Sequence, residues 1–203
     1  MDFAKDVDKP GFLIHGTYID NWPQIVRAKG LFPLSMLNED TQPSVGFSRR
    51  PEILHPGMIS VCELYTHPYG HRYSLREQRF WGIPAFHFII VSNYPYKNCS
   101  RSCSELWAEG IDHHSYDKPW HYEGNEIALV NQGLSLDTFV ALVLPTDEII
   151  QEISELKKYR HIFTYGEDNH RMTSKEIVDK IQDALKKDEI ELPLFDLEGN
   201  LLD

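Results

Sequence analysis

The run Phe12-Leu13-Ile14-His15-Gly16-Thr17-Tyr18, with a short helix directly after it, constrains this chain more than any other stretch. Phe12, Leu13 and Ile14 predict an apolar strand over residues 11–15. Asp20 or Asn21 is a good N-cap, Pro23 is tolerated in a first helical turn, and Gly30 suits the position after a helix end. Trp22, Ile25 and Val26 give that short helix a buried side at three- and four-residue spacing. A rigid strand therefore delivers an imidazole, His15, and the bare backbone of Gly16 to one fixed point. Such a point suits a pocket for a flat, polar ligand. A lone histidine at a strand end is more often a structural residue than a functional one.

The rest of the chain predicts short elements. Residues 33–43 are rich in Pro, Ser, Asn, Asp and Thr and predict a loop; Ser44 to Ser48 predicts a short strand ended before Pro51. Ile59 to Tyr65 fits either a strand or a helix. His67 to His71 predicts a turn, Leu75 to Trp81 a short helix, and Ala85 to Val91 a strand. Tyr94 to Gly124 is aromatic and weakly periodic, mostly loop with one short helix. Glu126 to Val130 predicts a strand, Asn131-Gln132-Gly133 a turn, Phe139 to Leu144 a further strand, and residues 146–158 a helix. Thr173 and Glu176 form a capping box ahead of a helix with Ile177, Ile181, Ala184 and Leu185 on one side. Leu192, Leu194 and Leu197 alternate in the tail. The sum is an α+β fold with several short strands and few long helices.

Composition excludes some classes. With 203 residues and 41% hydrophobic content, the chain can bury a core of its own. No run approaches the roughly 18 apolar residues of a membrane span, so no membrane partner is expected. The acidic start lacks the apolar core of a signal peptide. Cys62, Cys99 and Cys103 are odd in number, which suggests reduced thiols and a cytoplasmic location. Cys99 and Cys103 with His113-His114 admit a zinc reading, against which stand the three-residue gap and the need for four convergent ligands; unlinked thiols are preferred. The net charge of −11 repels nucleic acid globally. It leaves room for a local basic groove, since Arg49, Arg50, Arg72, Arg76 and Arg79 all lie in the first half of the chain.

A second element changes the weight of His15. Gly124-Asn125-Glu126-Ile127-Ala128-Leu129-Val130 sets a carboxylate at the mouth of an apolar strand. A carboxylate there is a good electrostatic partner for a developing oxocarbenium ion. With His15-Gly16-Thr17, Asn21-Trp22, Ile25 and Gly30-Leu31, the chain resembles the ADP-ribosyltransferase superfamily, whose members include poly(ADP-ribose) polymerases, DarT-type DNA ADP-ribosyltransferase toxins and RNA 2′-phosphotransferases. Asn125-Glu126-Ile127 followed by Leu136-Asp137-Thr138-Phe139 resembles the last motif of that superfamily, and Val45-Gly46-Phe47-Ser48 resembles the middle one. The matched motifs lie within residues 11–144.

The resemblance implies a split antiparallel β-sheet core with short flanking helices. It implies a catalytic domain over residues 1–160, with residues 161–203 as a C-terminal helix and tail packed on it. It implies NAD as co-substrate and no metal. His15 would bind the adenosine ribose and orient the nicotinamide ribose, Gly16 would bind the carboxamide through its backbone, and Thr17 would support the dinucleotide. Phe47 would stack on nicotinamide where many members have tyrosine, with Tyr65, Tyr69 and Tyr73 as rivals. Ser48 belongs to the same cofactor-binding segment, and Arg49 and Arg50 would pair with the pyrophosphate or lie in a solvated turn. Glu126 would be the catalytic glutamate.

The implied activity is NAD-dependent mono-ADP-ribosyl transfer. Gly124 stands two before Glu126, where arginine-modifying members carry a second glutamate, so an arginine acceptor is disfavoured. The loop before Glu126 holds Trp107, His113, His114, Tyr116, Trp120, His121 and Tyr122. Such rings suit a splayed-out base, and so a DNA or RNA acceptor; they equally suit a protein epitope or loop packing. A small transferase of this kind suits a toxin or phage-defence effector held by an antitoxin. The alternatives are an RNA 2′-phosphotransferase, a protein-directed transferase, and a catalytically inactive binding module. The phosphotransferase reading fits His15 to Tyr18, Trp22-Pro23 and Lys29 to Leu31, but lacks the arginine and His-x-His strand expected after Leu31.

Overall fold

The computed structural model describes residues 12–43, 58–63, 88–94, 101–112, 115–118, 120–121, 126–155, 164–165, 170–196 and 199–202. Strand β1 is Phe12–Thr17, two residues longer at its end than the apolar run predicts. Gly16 and Thr17 extend it because they pair with Ile89 and Phe88 of β4, Phe88–Asn93. The undecided segment after Ile59 is a strand, β3, Met58–Glu63. The remaining strands are β2 (Gly30–Leu31), β5 (Trp120–His121), β6 (Glu126–Val130), β7 (Leu134–Ser135), β8 (Phe139–Val143), β9 (Thr164–Tyr165), β10 (His170–Arg171) and β11 (Leu194–Phe195).

Among the described residues the main sheet runs β11-β8-β4-β1-β3-β6-β5. Every neighbouring pair is antiparallel except β11 and β8. The fold is α+β, with a mostly antiparallel sheet and short helices, as the sequence pattern predicts. The predicted strands at Phe139 and Glu126 fall on β8 and β6. The described part of the Ala85 strand begins at Phe88, and its paired run continues to Asn93. The expected strand at 44–48, turn at 67–71 and helix at 75–81 lie outside the described residues.

Helix α1, Trp22–Ala28, comes after a 3-10 turn over Ile19–Asn21. Asn21 holds its N-cap position, but the side chain does not cap the helix. It turns back instead, and its Nδ2 donates to Thr17 Oγ1 at 3.3 Å. Gly30 lies just past the helix end as expected, yet Lys29 makes the left-handed turn, with φ 60°. Helix α2 is Cys103–Ala108, α3 is Asp147–Glu155 and α4 is Ser174–Lys187. The Thr173–Glu176 capping box forms as predicted.

The core lies mainly on one face of the sheet. Leu13, Phe88, Ile90, Val61, Ile127, Leu129 and Leu142 meet Trp22 and Ile25 of α1 and Ile177, Ile181 and Leu185 of α4. Burying one such large apolar side chain contributes about 1.5–3 kcal/mol. Trp22 packs edge-on to Phe88, with ring centroids 5.9 Å apart. The opposite face buries Ile14, Ile89, Val91, Ala141, Val143 and Phe195. The tail alternation is used for a parallel strand: β11 pairs Leu194 with Leu142 and Phe195 with Val143.

A second, small ladder joins the two ends of the sequence pattern. Gly30 pairs with Ser135 and Leu31 with Leu134, and the Leu136 amide donates to the Lys29 carbonyl at 2.9 Å. Glycines on both sides make this approach feasible. A Cβ on Gly30, which sits at φ 146°, would collide with the Leu134 carbonyl; one on Gly133 would collide with the Phe32 ring and the Leu31 carbonyl. Gly30→Ala and Gly133→Ala are therefore each expected to cost at least about 2 kcal/mol, measured as a fall in the urea midpoint with unchanged m-value.

Candidate active site

His15 lies half-buried in the middle of the β1–β4 ladder, opposite Ile90. Gly16 faces Ile89 across the same ladder, and Thr17, buried, faces Phe88. On its other side β1 meets β3 only at Leu13–Glu63 and Ile14–Cys62 among the described residues. Beyond Ile14 this pairing stops among the described residues. His15, Gly16 and Thr17 continue on β4, while Met58 to Val61 continue on β6. The β1–β3 ladder thus ends at the Ile14–Cys62 pair; this step in the pairing, the notch, has His15 as its first residue on β1.

Glu126 begins β6 and pairs with Cys62, which pairs with Ile14. The carboxylate-bearing residue is therefore level with the base of the notch, two strand spacings or about 10 Å from Ile14 between Cα atoms. The register aligns Glu126 with Ile14 rather than with His15. Along the pleat, position 15 shares its row with 13 and 17, whereas position 126 shares the opposite row with 62 and 14. The structure therefore sets the two positions one residue apart in register and in opposite rows of the sheet.

The helix that follows β1 is tied to the C-terminal helix. Trp22 Nε1 donates to Asp188 Oδ2 at 2.9 Å, and Asp188 is the C-cap residue of α4. Neither partner announces this bond in the sequence, since 166 positions separate them. Asn21 and Thr17, each about 5% exposed, are the buried polar residues beside Trp22. By accepting from Asn21, the Thr17 oxygen keeps its own proton for donation.

Phe47, Ser48, Arg49 and Arg50 lie outside the described residues, as do Tyr65, Tyr69, Tyr73, Cys99, His113, His114, Tyr122, Gly124 and Asn125. Among the described residues no group of three His, Cys, Asp or Glu side chains is placed to hold a metal. The ring-rich loop divides by environment. Tyr116 packs with Ile111 against Leu106, Ala128 and Val130. Trp120 and His121 form β5, paired with Ala128 and Ile127. Trp107 on α2 is 71% exposed.

Helix α2 carries the resolved electrostatics of this region. Ser102 caps it reciprocally: the Glu105 amide donates to Ser102 Oγ at 3.2 Å, and Glu105 Oε2 accepts from the Ser102 amide. That amide bond, then the Ser102 hydroxyl, holds the Glu105 carboxyl below its ordinary range. The Arg101 guanidinium, hydrogen-bonded to Glu109, does the same for Glu109 and is itself raised. Both carboxyl shifts are downward, so what they add to the cap and the ion pair is present at neutral pH. It fades as acid takes the pH down through the carboxylate range.

No protein-family model matches the sequence, and no curated protein sequence matches it. The structure is similar to three structures of DarT from Thermus sp. 2.9. The complex with carba-NAD+ aligns at TM-score 0.36 and 13% identity, over 75% of this chain and 92% of that one. The NAD+ complex aligns at 0.35 and 13%, over 75% and 91%. The complex with ADP-ribosylated single-stranded DNA aligns at 0.33 and 14%, over 75% and 90%. Similarity of this size places the chain in no family. The geometry itself predicts that Trp22→Phe, which keeps the packing and removes the bond to Asp188, costs about 1–2 kcal/mol, read as a lower urea midpoint.

Proposed function

We propose that the chain is an NAD-dependent mono-ADP-ribosyltransferase acting on a nucleic acid, DNA or RNA. One observation carries the reading. The β1–β3 pairing ends immediately before His15-Gly16-Thr17, and the register Ile14–Cys62–Glu126 keeps the glutamate level with that end. A ligand seated in the notch, rather than on one face of the sheet, is accessible from both alternating rows. The motif resemblance supplies its identity: a dinucleotide whose nicotinamide ribose lies between His15 and Glu126.

In this reading Gly16 lets the ligand approach the backbone, since no side chain stands in the way. Thr17, fixed by Asn21, donates to the dinucleotide. His15 orients the nicotinamide ribose. The bond from ribose C1′ to the nicotinamide nitrogen breaks, and nicotinamide leaves neutral with the electron pair. Glu126 stabilises the oxocarbenium charge that develops on the ribose. The acceptor atom then attacks C1′ and gives up its proton to the carboxylate or to water. Phe47 stacks on the nicotinamide, and Ser48, Arg49 and Arg50 line the segment that meets the pyrophosphate. Residues 1–160 form the catalytic domain, and residues 161–203 its C-terminal support. A role as a toxin restrained by an antitoxin fits this chemistry, because unrestrained modification of nucleic acid is harmful to a cell.

A second reading, a protein acceptor, is favoured by the net charge of −11. Release of nicotinamide from NAD tests the activity: Glu126→Ala is expected to lower it by about 100-fold or more, and His15→Ala to weaken it through KM and kcat together. Equal release by wild type and both variants overturns the assignment. Label from NAD recovered in nuclease-sensitive product supports a nucleic-acid acceptor; label recovered in protease-sensitive product selects the protein reading.

A further inference from the structure

Strands β9 and β10 form a two-stranded sheet of their own, with Tyr165 opposite His170 and Thr164 opposite Arg171. Directly opposite residues share a face, so positions 165 and 170 lie on one face and 164 and 171 on the other. None of the four ladder residues is a carboxylate. The surrounding sequence has the same bias: residues 157–171 hold four Lys or Arg and two carboxylates, in a chain whose net charge is −11. The ladder's base is fixed in the fold. Met172, directly after β10, is buried in the core, and Thr173 caps α4. The Ser174 amide donates to Asp147 Oδ1 at 2.6 Å. Asp147 follows closely on β8, whose last residue, Val143, is level with Gly16 through Ile89. The ladder therefore springs from the end of the main sheet toward which His15-Gly16-Thr17 run. From its base α4, 14 residues or about 21 Å long, leads to Asp188 and the bond to Trp22.

We propose that the β9–β10 ladder binds single-stranded nucleic acid and guides it toward the notch. Every residue type in the ladder has a use there. Arginine pairs with phosphate oxygens and threonine donates to them. Tyrosine and histidine rings stack on unpaired bases. A local excess of cations holds phosphate despite the acidic whole, because salt confines the reach of each exposed charge to about 10 Å at 0.1 M. The guiding role rests on the nucleic-acid reading above; the binding itself does not.

The test is fluorescence polarisation of a labelled oligothymidylate of about 12 nucleotides, and of the matching oligouridylate, titrated with the full chain in the absence of NAD at several salt concentrations. Wild type is expected to bind at low salt and more weakly as salt rises. Arg171→Gln is expected to flatten the slope of log K against log salt by about 0.7, the share of one phosphate contact on a single strand. Tyr165→Ala is expected to weaken binding by about fivefold or more, and Tyr165→Phe to retain it. Binding of either oligonucleotide through these residues supports the proposal, and the tighter one names the sugar. Unchanged thermal midpoints in the variants separate lost binding from lost fold. A chain that binds in this way yet releases no nicotinamide from NAD loses the transferase reading and keeps this one. No binding, or equal affinity and salt slope in wild type, Arg171→Gln and Tyr165→Ala, overturns the proposal. So does tighter binding of an acidic peptide of equal charge, which makes the ladder a protein contact.

Discussion

The unequal pairing of β1 governs this molecule. On one side all six of its residues pair with β4, Phe12 to Asn93 through Thr17 to Phe88. On the other, two residues pair with β3 before the strands separate. A strand held along its whole length on one edge is firmly placed; released halfway on the other, it leaves backbone groups outside that ladder. That release coincides with His15-Gly16-Thr17, the residues that the proposed reading sets against the dinucleotide. A fully zipped sheet would spend the same backbone groups on its own ladder.

A strand paired so unequally is supported from outside the ladder by three connections. The small β2–β7 ladder ties the end of α1 to the turn after β6, through the mutual approach of Gly30 and Gly133. The Trp22–Asp188 bond ties the start of α1 to the end of α4. The core fills the space beneath, where Trp22, Ile25, Ile177, Ile181 and Leu185 close over Leu13 and Ile90. The segment after His15 is thus fixed at both its ends, while β6 is fixed by β3, β5 and α2. Both walls of the notch belong to one packed body.

Much of this was legible in local patterns. Apolar runs mark β1, β6 and β8, and the Thr173–Glu176 spacing marks the start of α4, because each signal is confined to a few adjacent residues. The bond between Trp22 and Asp188 was not, since nothing nearby in the chain distinguishes that aspartate from its acidic neighbours. Gly30 was legible as a helix terminator, but its structural reason is the close approach of Leu134, and Lys29 takes the left-handed turn. The combination of His15 with Glu126 is a proposal drawn from the motifs. The register, which sets Glu126 level with Ile14, depends on a third strand, β3, whose type the sequence pattern left open.

On the proposed reading the dinucleotide lies in the notch between β1 and β3. Residue-resolved amide hydrogen exchange, with and without NAD, tests that position most directly. NAD is expected to slow exchange at Gly16 and Thr17 and at Ser60 and Val61, while the β4–β8 ladder stays unchanged. Protection confined to other parts of the chain, with the notch residues unaffected at saturating NAD, would contradict it.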